Sequence, residues 1–263
     1  MINKTRLAFF GSSSSFISSI IYKALVKELK NRDDIELVVI IDAVKDDFKS
    51  RIMRQDFLTT LIRWLALRLQ GHKFKWRYYG AIKGTKIKDI NTAECYRLLN
   101  LNHVDAILSV ACPQIFGDVL LGYYYCVNYH NSLLPKYRGV CSTQWECYLR
   151  EDRVGYTFHR MIDKFDCGNI LIQQGLLEMH PTKYDSVIEL DAQKAGLACR
   201  DLPDLLSTLS IHSYNGKKQS GIGSCYNQHS LDLLSLDEDT LRCFGWTAFP
   251  WYYVPKFARR WVK

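Results

Sequence analysis

Val127-Asn128-Tyr129-His130-Asn131-Ser132-Leu133-Leu134-Pro135-Lys136-Tyr137-Arg138-Gly139 begins as a β-strand and breaks at His130 into a polar, proline-punctuated loop. Alternate side chains of a strand share a face, so Asn128 and His130 point one way and Val127 and Tyr129 the other. An amide and an imidazole therefore stand roughly 7 Å apart on one side of a strand that is just ending. In an open parallel sheet, ligands bind beyond such strand ends. By residue type alone the pattern is unspecific, since Asn-x-His at a strand end also occurs for structural reasons.

Outward from this stretch, the chain reads as alternating strands and helices. The apolar run 6–10 ends at Gly11, and the serines at 12–15 offer N-caps. Ile17, Ile20, Ile21, Ala24 and Leu25 then lie on one helical stripe. Residues 35–41 are apolar and β-branched, the pattern of a strand buried on both faces. Strand, helix, strand of this length is a βαβ unit. Gly11 and its serines contain neither Gly-x-Gly-x-x-Gly nor Gly-Lys-Ser/Thr, so they read as a plain β-to-α turn.

Asn91, with Glu94 three residues on, starts a helix that runs to about 100, and 104–110 is the next strand. After the opening stretch, 142–150 reads as a helix with Trp145 and Leu149 on its apolar side. Residues 156–161 and 169–173 read as strands around a loop at 162–168. One or two helices follow over 184–212, broken at Pro203. The stretch 213–263 suggests turns, short strands and aromatic packing. The expected architecture is α/β: a Rossmann-like open, mostly parallel sheet flanked by helices, with a short C-terminal extension. Residues 1–180 would form the catalytic domain and 181–263 the extension.

Composition excludes several classes. There is no run of 18 apolar residues for a membrane span and no long apolar segment at the N-terminus for a secretory signal. The nine cysteines are odd in number, contain no Cys-x-x-Cys and sit largely in apolar runs, which suits reduced thiols in the cytoplasm. Net charge is +8, yet 49–88 alone holds eleven Lys/Arg against one acid, Asp56. Such a segment is either a solvated basic face or a surface that attracts phosphates. Within it, 57–69 reads as a helix, and 73–79 interleaves cations with aromatics, as nucleotide surfaces and lysine-protected edge strands both do.

NYHNSLLPKYRG at 128–139 is followed by Asp166-Cys167-Gly168 within GYTFHRMIDKFDCGNILIQQ. This combination resembles the signature of the folate-dependent formyltransferases: Asn-x-His, Ser-Leu-Leu-Pro-x-x-Arg-Gly, and a later Asp-x-Gly. The resemblance is dense over 104–174 and thin over the rest of 7–180. It implies formyl transfer from 10-formyltetrahydrofolate to an amine, with no metal. Such chemistry must remove a proton from the amine, stabilise a developing oxyanion and return a proton to the leaving nitrogen. By the resemblance, Asn128 stabilises the oxyanion, His130 accepts and returns the proton, and Asp166 orients the imidazole and raises its pKa. It also implies that the pterin sits against 110–116 and 163–166, which makes Cys112, Gln114, Ile115, Asp163 and Phe165 cofactor-binding candidates. Asn131 and Cys167 depart from the residues that members often carry there.

The acceptor is less specified. The layout resembles the nucleotide-linked sugar N-formyltransferases more than the methionyl-tRNA enzymes, which carry a further barrel domain, or the shorter glycinamide ribonucleotide enzymes. An amino sugar on a nucleoside diphosphate, dTDP in this reading, needs cations for the diphosphate and an aromatic platform for the base. The basic segment and the tail aromatics Trp246, Phe249, Trp251 and Tyr252 are candidates; those aromatics equally suit a subunit interface. Ser132, Tyr137, Arg138 and Trp246 are the substrate-binding candidates. A homodimer is expected, and neither a membrane nor a nucleic acid is expected as a partner. Two alternatives stay open: an enzyme like methionyl-tRNA formyltransferase, and a non-enzymatic folate- or nucleotide-binding relative.

Overall fold

A computed structural model describes residues 4–44, 81–176, 187–211 and 214–226. Most of the basic segment, including 57–69 and 73–79, and the aromatic tail with Trp246 lie outside the described residues.

β1 (Thr5–Gly11), α1 (Phe16–Leu29) and β2 (Ile35–Ala43) form the opening βαβ unit. β3 (Thr85–Ile87), α2 (Ala93–Leu101), β4 (Ala106–Val110), α3 (Asp118–Tyr123) and β5 (Tyr125–His130) follow. β6 (Arg138–Gly139) and α4 (Ser142–Tyr148) precede the antiparallel pair β7 (Val154–Arg160) and β8 (Ile170–Leu176). α5 (Val187–Ala198), a 3₁₀ turn at Cys199–Asp201, α6 (Leu202–Ile211) and β9 (Cys225–Tyr226) complete the described chain. The main sheet has the order β3-β2-β1-β4-β5-β7-β8, parallel from β3 to β5 and antiparallel beyond. β6 and β9 form a separate parallel pair.

The period-2 alternation of the strands builds two cores, one on each face. Leu7 and Phe9 of β1 join Leu108, Val127 and Tyr129 beneath α1, α5 and α6. Ala8 and Phe10 join Ile107 and Cys126 on the opposite face, against Cys95 and Leu99 of α2. Asn128 and His130 continue the row of Cys126, so the polar end of β5 emerges on that second face. Ile21 and Leu25 are fully buried and Ile17, Ile20 and Ala24 pack beside them, as the helical stripe predicts. Ser15 caps α1, its hydroxyl accepting from Ser18 N–H.

Several local expectations change. β2 is only partly buried over Glu36, Leu37 and Val38, because short β3 pairs with Ile41, Asp42 and Ala43 alone. Thr92, rather than Asn91, is the N-cap of α2. The Asn91 side chain instead donates to the Ile115 carbonyl (2.8 Å) and accepts from Gly117 N–H (2.7 Å), tying the loop after β4 to the start of α2. Leu149 is 46% exposed, since α4 ends at Tyr148 and only Trp145 of the expected pair turns inward. The helical break falls at the 3₁₀ turn, and Pro203 sits in the first turn of α6, where no backbone N–H is needed. The helices of the expected extension are also core elements: Ala195, Ala198, Leu202, Leu205, Leu206 and Leu209 pack into the same cluster as β1, β4 and β5.

Candidate active site

β5 ends with Asn128 and His130, and β7 runs antiparallel beside it in a register that sets His159 opposite Asn128 and Thr157 opposite His130. Paired residues in a sheet project on the same face. Asn128 Nδ2 and His159 Nε2 accordingly lie 3.3 Å apart. Thr157 fastens the loop after His130: its hydroxyl donates to the Ser132 carbonyl (2.7 Å) and accepts from Leu134 N–H (3.2 Å).

The loop from β7 to β8 brings in Asp166, which takes a left-handed backbone conformation at φ 50°. Asp166 Oδ2 accepts from Gly139 N–H at 2.7 Å and lies 3.5 Å from His130 Nδ1. Its other oxygen, Oδ1, lies 3.3 Å from His159 Nε2. One carboxylate thus joins the loop after β5, the end of β5 and the end of β7. Two glycines permit this closeness. Gly168 packs so tightly on Arg160 that a Cβ would fall 1.9 Å from its carbonyl oxygen, and Gly139 at φ +93° would meet the Tyr226 carbonyl at 2.2 Å.

Burial lowers the pKa of His130; the nearby Asp166 charge works in the opposite direction but does not overcome it. The rise expected from an adjacent carboxylate is therefore reversed, because His130 is only 6% exposed. Burial pushes the Asp166 carboxyl up, yet the His159 bond, the charges of His130 and His159 and the Gly139 N–H together hold it down at about 2. At neutral pH the pair is thus a neutral imidazole beside a carboxylate. The imidazole is oriented mainly by the backbone: His130 Nε2 is 2.8 Å from the Tyr137 carbonyl, which can only accept. That nitrogen carries the proton, and Nδ1, beside Asp166, is the basic one.

These groups line a pocket of ≈ 360 Å³ that also reaches Cys112, Gln114, Ile115, Asp163 and Phe165. Ile115 (65%), Phe165 (59%) and Ile162 stand exposed at it, an apolar lining suited to a flat heteroaromatic ring. Gln114 also braces the structure beneath the pocket, where its amide donates to the carbonyls of Val44 and Lys88 and accepts from Ile90 N–H. The pocket lies over the ends of β4, β5 and β7, beyond the β1/β4 position where the strand order reverses.

The substrate-side candidates fare differently. Ser132 is fully buried, with its hydroxyl turned to the carbonyls of Lys136 and Tyr137, so it closes its own loop and offers no free surface. Tyr137 is buried too, donating to Glu151 and stacking on Tyr226. Arg138 donates to Gln219 Oε1 from both Nε and Nη2.

Two features went unassigned in the sequence. His159 sits inside the quoted motif, but its role depends on the β5–β7 register, which no local pattern gives. Lys194 reads as an ordinary helical lysine, yet it is fully buried and donates to the Asn131 carbonyl, the Thr143 hydroxyl and Glu146. Asn131 also receives the Tyr129 hydroxyl and donates to Thr143 and Asp191. The residue that departs from the family pattern is thus the hub of a buried network directly after His130.

The formyl transferase family model matches residues 73–194. A methionyl-tRNA formyltransferase of Thermotoga maritima is 28% identical over 141 residues, 53% of this chain and 44% of that protein. A GDP-perosamine N-formyltransferase of Brucella melitensis is 48% identical over 48 residues, 18% of each chain. The structure of a sugar N-formyltransferase from a Shewanella species superposes with a TM-score of 0.63 at 19% identity, covering 91% of this chain and 88% of that one. The match thus spans less than half the length of the curated methionyl-tRNA relative. Residues 73–194 are thus similar to the formyl transferase family, and the described residues share the α/β fold of the sugar N-formyltransferase structure.

Proposed function

We propose that this protein transfers the formyl group of 10-formyltetrahydrofolate to the amine of a nucleotide-linked amino sugar. The observation that carries the reading is the Asp166 carboxylate, within 3.5 Å of His130 Nδ1, on the wall of a pocket that also holds Asn128. The folate, when bound, supplies the formyl group, and the exposed apolar side chains Ile115, Ile162 and Phe165 suit its flat ring.

The rest follows from this chain's own groups. Asn128 Nδ2 donates to the formyl oxygen as the amine adds to the carbon and negative charge gathers there. His130 Nδ1 takes the proton that the amine sheds, and the resulting imidazolium is paired with Asp166 and held by the Tyr137 carbonyl. His130 then returns that proton to the folate nitrogen as its bond to the formyl carbon breaks. No side-chain nucleophile is needed, because the amine attacks directly.

The amino-sugar acceptor is supported by the fold shared along most of the chain with a sugar N-formyltransferase and by the Brucella relative. dTDP is the nucleotide of the sequence reading; the name of the Brucella relative makes GDP the other nucleotide to try. The Thermotoga relative favours a second reading, with charged initiator tRNA as acceptor. The deciding experiment incubates the protein with 10-formyltetrahydrofolate and either dTDP- and GDP-linked amino sugars or methionyl-tRNA. A gain of one CO on a sugar nucleotide supports the first reading, formylation of the tRNA alone supports the second, and neither product sinks both.

A further inference from the structure

Gln219 lies outside every motif of the sequence and does not line the pocket, but its amide meets both loops that hold Asp166. Its Nε2 donates to the main-chain carbonyls of Asp166 and Gly168, each at 2.7 Å. Its Oε1 accepts from Arg138 Nε (3.1 Å) and Nη2 (2.6 Å). A guanidinium can only donate and a carbonyl can only accept, so the orientation of the amide is fixed by its partners. Arg138 precedes Gly139, whose N–H grips the Asp166 carboxylate. The side chain therefore bolts the loop after β5 to the loop after β7 on either side of the one residue they share.

The segment that carries Gln219 is itself pinned to both loops. Lys217 exchanges backbone bonds with Ile170 in both directions (2.7 and 2.8 Å). Cys225 and Tyr226 pair with Arg138 and Gly139, and Ser224 Oγ accepts from Tyr137 N–H (3.1 Å). Tyr226 stacks on Tyr137 and packs at 4.3 Å from the Trp145 ring. Asp166 needs such support, because a left-handed backbone is strained for a residue with a side chain.

We propose that Gln219 is a positioning residue, which holds Asp166 in its left-handed conformation at His130 by clamping the Asp166 and Gly168 carbonyls to Arg138. The proposal takes the roles of His130 and Asp166 from the formyl-transfer reading, but the geometry it describes is testable without substrate.

The groups that act on the His130 ring are Asp166, which favours its protonated form, and His159 and Lys194, which oppose it. If Asp166 swings away, the favourable charge weakens while burial remains. Gln219→Glu keeps an acceptor for Arg138 but turns oxygen toward two carbonyls; Gln219→Met keeps the length and removes the amide. The test is an NMR titration of the His130 imidazole in the parent and both variants, with folding checked by near-ultraviolet circular dichroism. Lys218→Ala, which alters an exposed side chain of the same segment beside Gln219, is the control. The expected result is a downward displacement of the His130 titration by about half a pH unit or more in both Gln219 variants and none in Lys218→Ala. Should Gln219→Glu fail to fold, Gln219→Met alone decides. An unmoved titration in the folded Gln219 variants, or an equal displacement in Lys218→Ala, overturns the proposal. If the parent formylates an amine, the same variants should lose about tenfold or more in kcat with KM for the acceptor little changed. Absence of formylation in the parent overturns the reaction and leaves the titration to judge the clamp.

Discussion

At His130 the two ring nitrogens are not equivalent. The Tyr137 carbonyl fixes the proton on Nε2, and Nδ1 faces the Asp166 carboxylate. Burial lowers the histidine below its ordinary value, and Asp166, held at about 2, stays ionised throughout the working range. In the proposed reaction the acid limb of kcat/KM therefore falls to His130. Activity should be full above pH of about 6.5 and fall as pH drops through the lowered pKa of the imidazole. A pH–rate profile with an acid limb above that value contradicts the assignment. The same sign holds for stability, since the unfolded chain binds the proton more readily and acid favours unfolding. His130→Ala should cost about 10²–10⁴-fold in formylation while the fold persists, because the loop remains fastened by Thr157. Asn128→Ala should cost about 10²–10³-fold in kcat, the scale of one lost oxyanion donor. Steady-state kinetics on the folded variants measures both. Neither residue needed the structure to be noticed, since Asn-x-His and the following loop are local in sequence. His159 did, because its place opposite Asn128, thirty-one positions away, is visible only once the register is known.

Among the elements, α4 and α5 share the most deeply buried ion pair of the described residues. Lys194 of α5 is enclosed completely and directs its donors to Glu146 and Thr143 of α4 and to the Asn131 carbonyl. Burial pushes the Glu146 carboxyl up to about 7 against the pull of the Lys194 charge and hydrogen bond, so desolvation works against the charged pair and attraction offsets it only in part. Removing one partner strands the other. Lys194→Met should cost about 3–5 kcal/mol in urea denaturation, whereas pairing it with Glu146→Leu should recover part of that loss. A double variant no more stable than Lys194→Met would show that the network is held by packing instead. This network also accounts for Asn131: its amide joins Tyr129, Thr143 and Asp191, bonds that a small apolar side chain could not make. Alternation and capping signals placed most strands and helices correctly, being short-range. They misplaced the start of α2, where a side chain bonded to a distant loop outweighed the local cap, and the end of α4.

At the scale of the whole molecule, the second half of the chain contributes to the core as well. α5 and α6 lie beyond the family signature, yet they close the core over β1, β4 and β5. A chain cut after Leu176 should fail to form a fixed core, read as loss of near-ultraviolet circular dichroism and exposure of apolar surface to a dye. A truncated chain that keeps native near-ultraviolet signal would instead support a domain boundary at about residue 180. Sequence by itself determined the α/β order of elements, the face shared by Asn128 and His130, and the motif that carries the resemblance to the formyltransferases. Those follow from periodicity and from residues adjacent along the chain. Only the tertiary structure decided that Asp166 lies beside two histidines, that Ser132 and Tyr137 are engaged inside their own loop, and that Lys194 and Gln219 bond to the loops after β5 and β7 from remote segments. Each of these depends on strand register or on loops meeting across a long stretch of chain. The hydrogen bonds that choose among such meetings are short in space and have no fixed spacing in sequence.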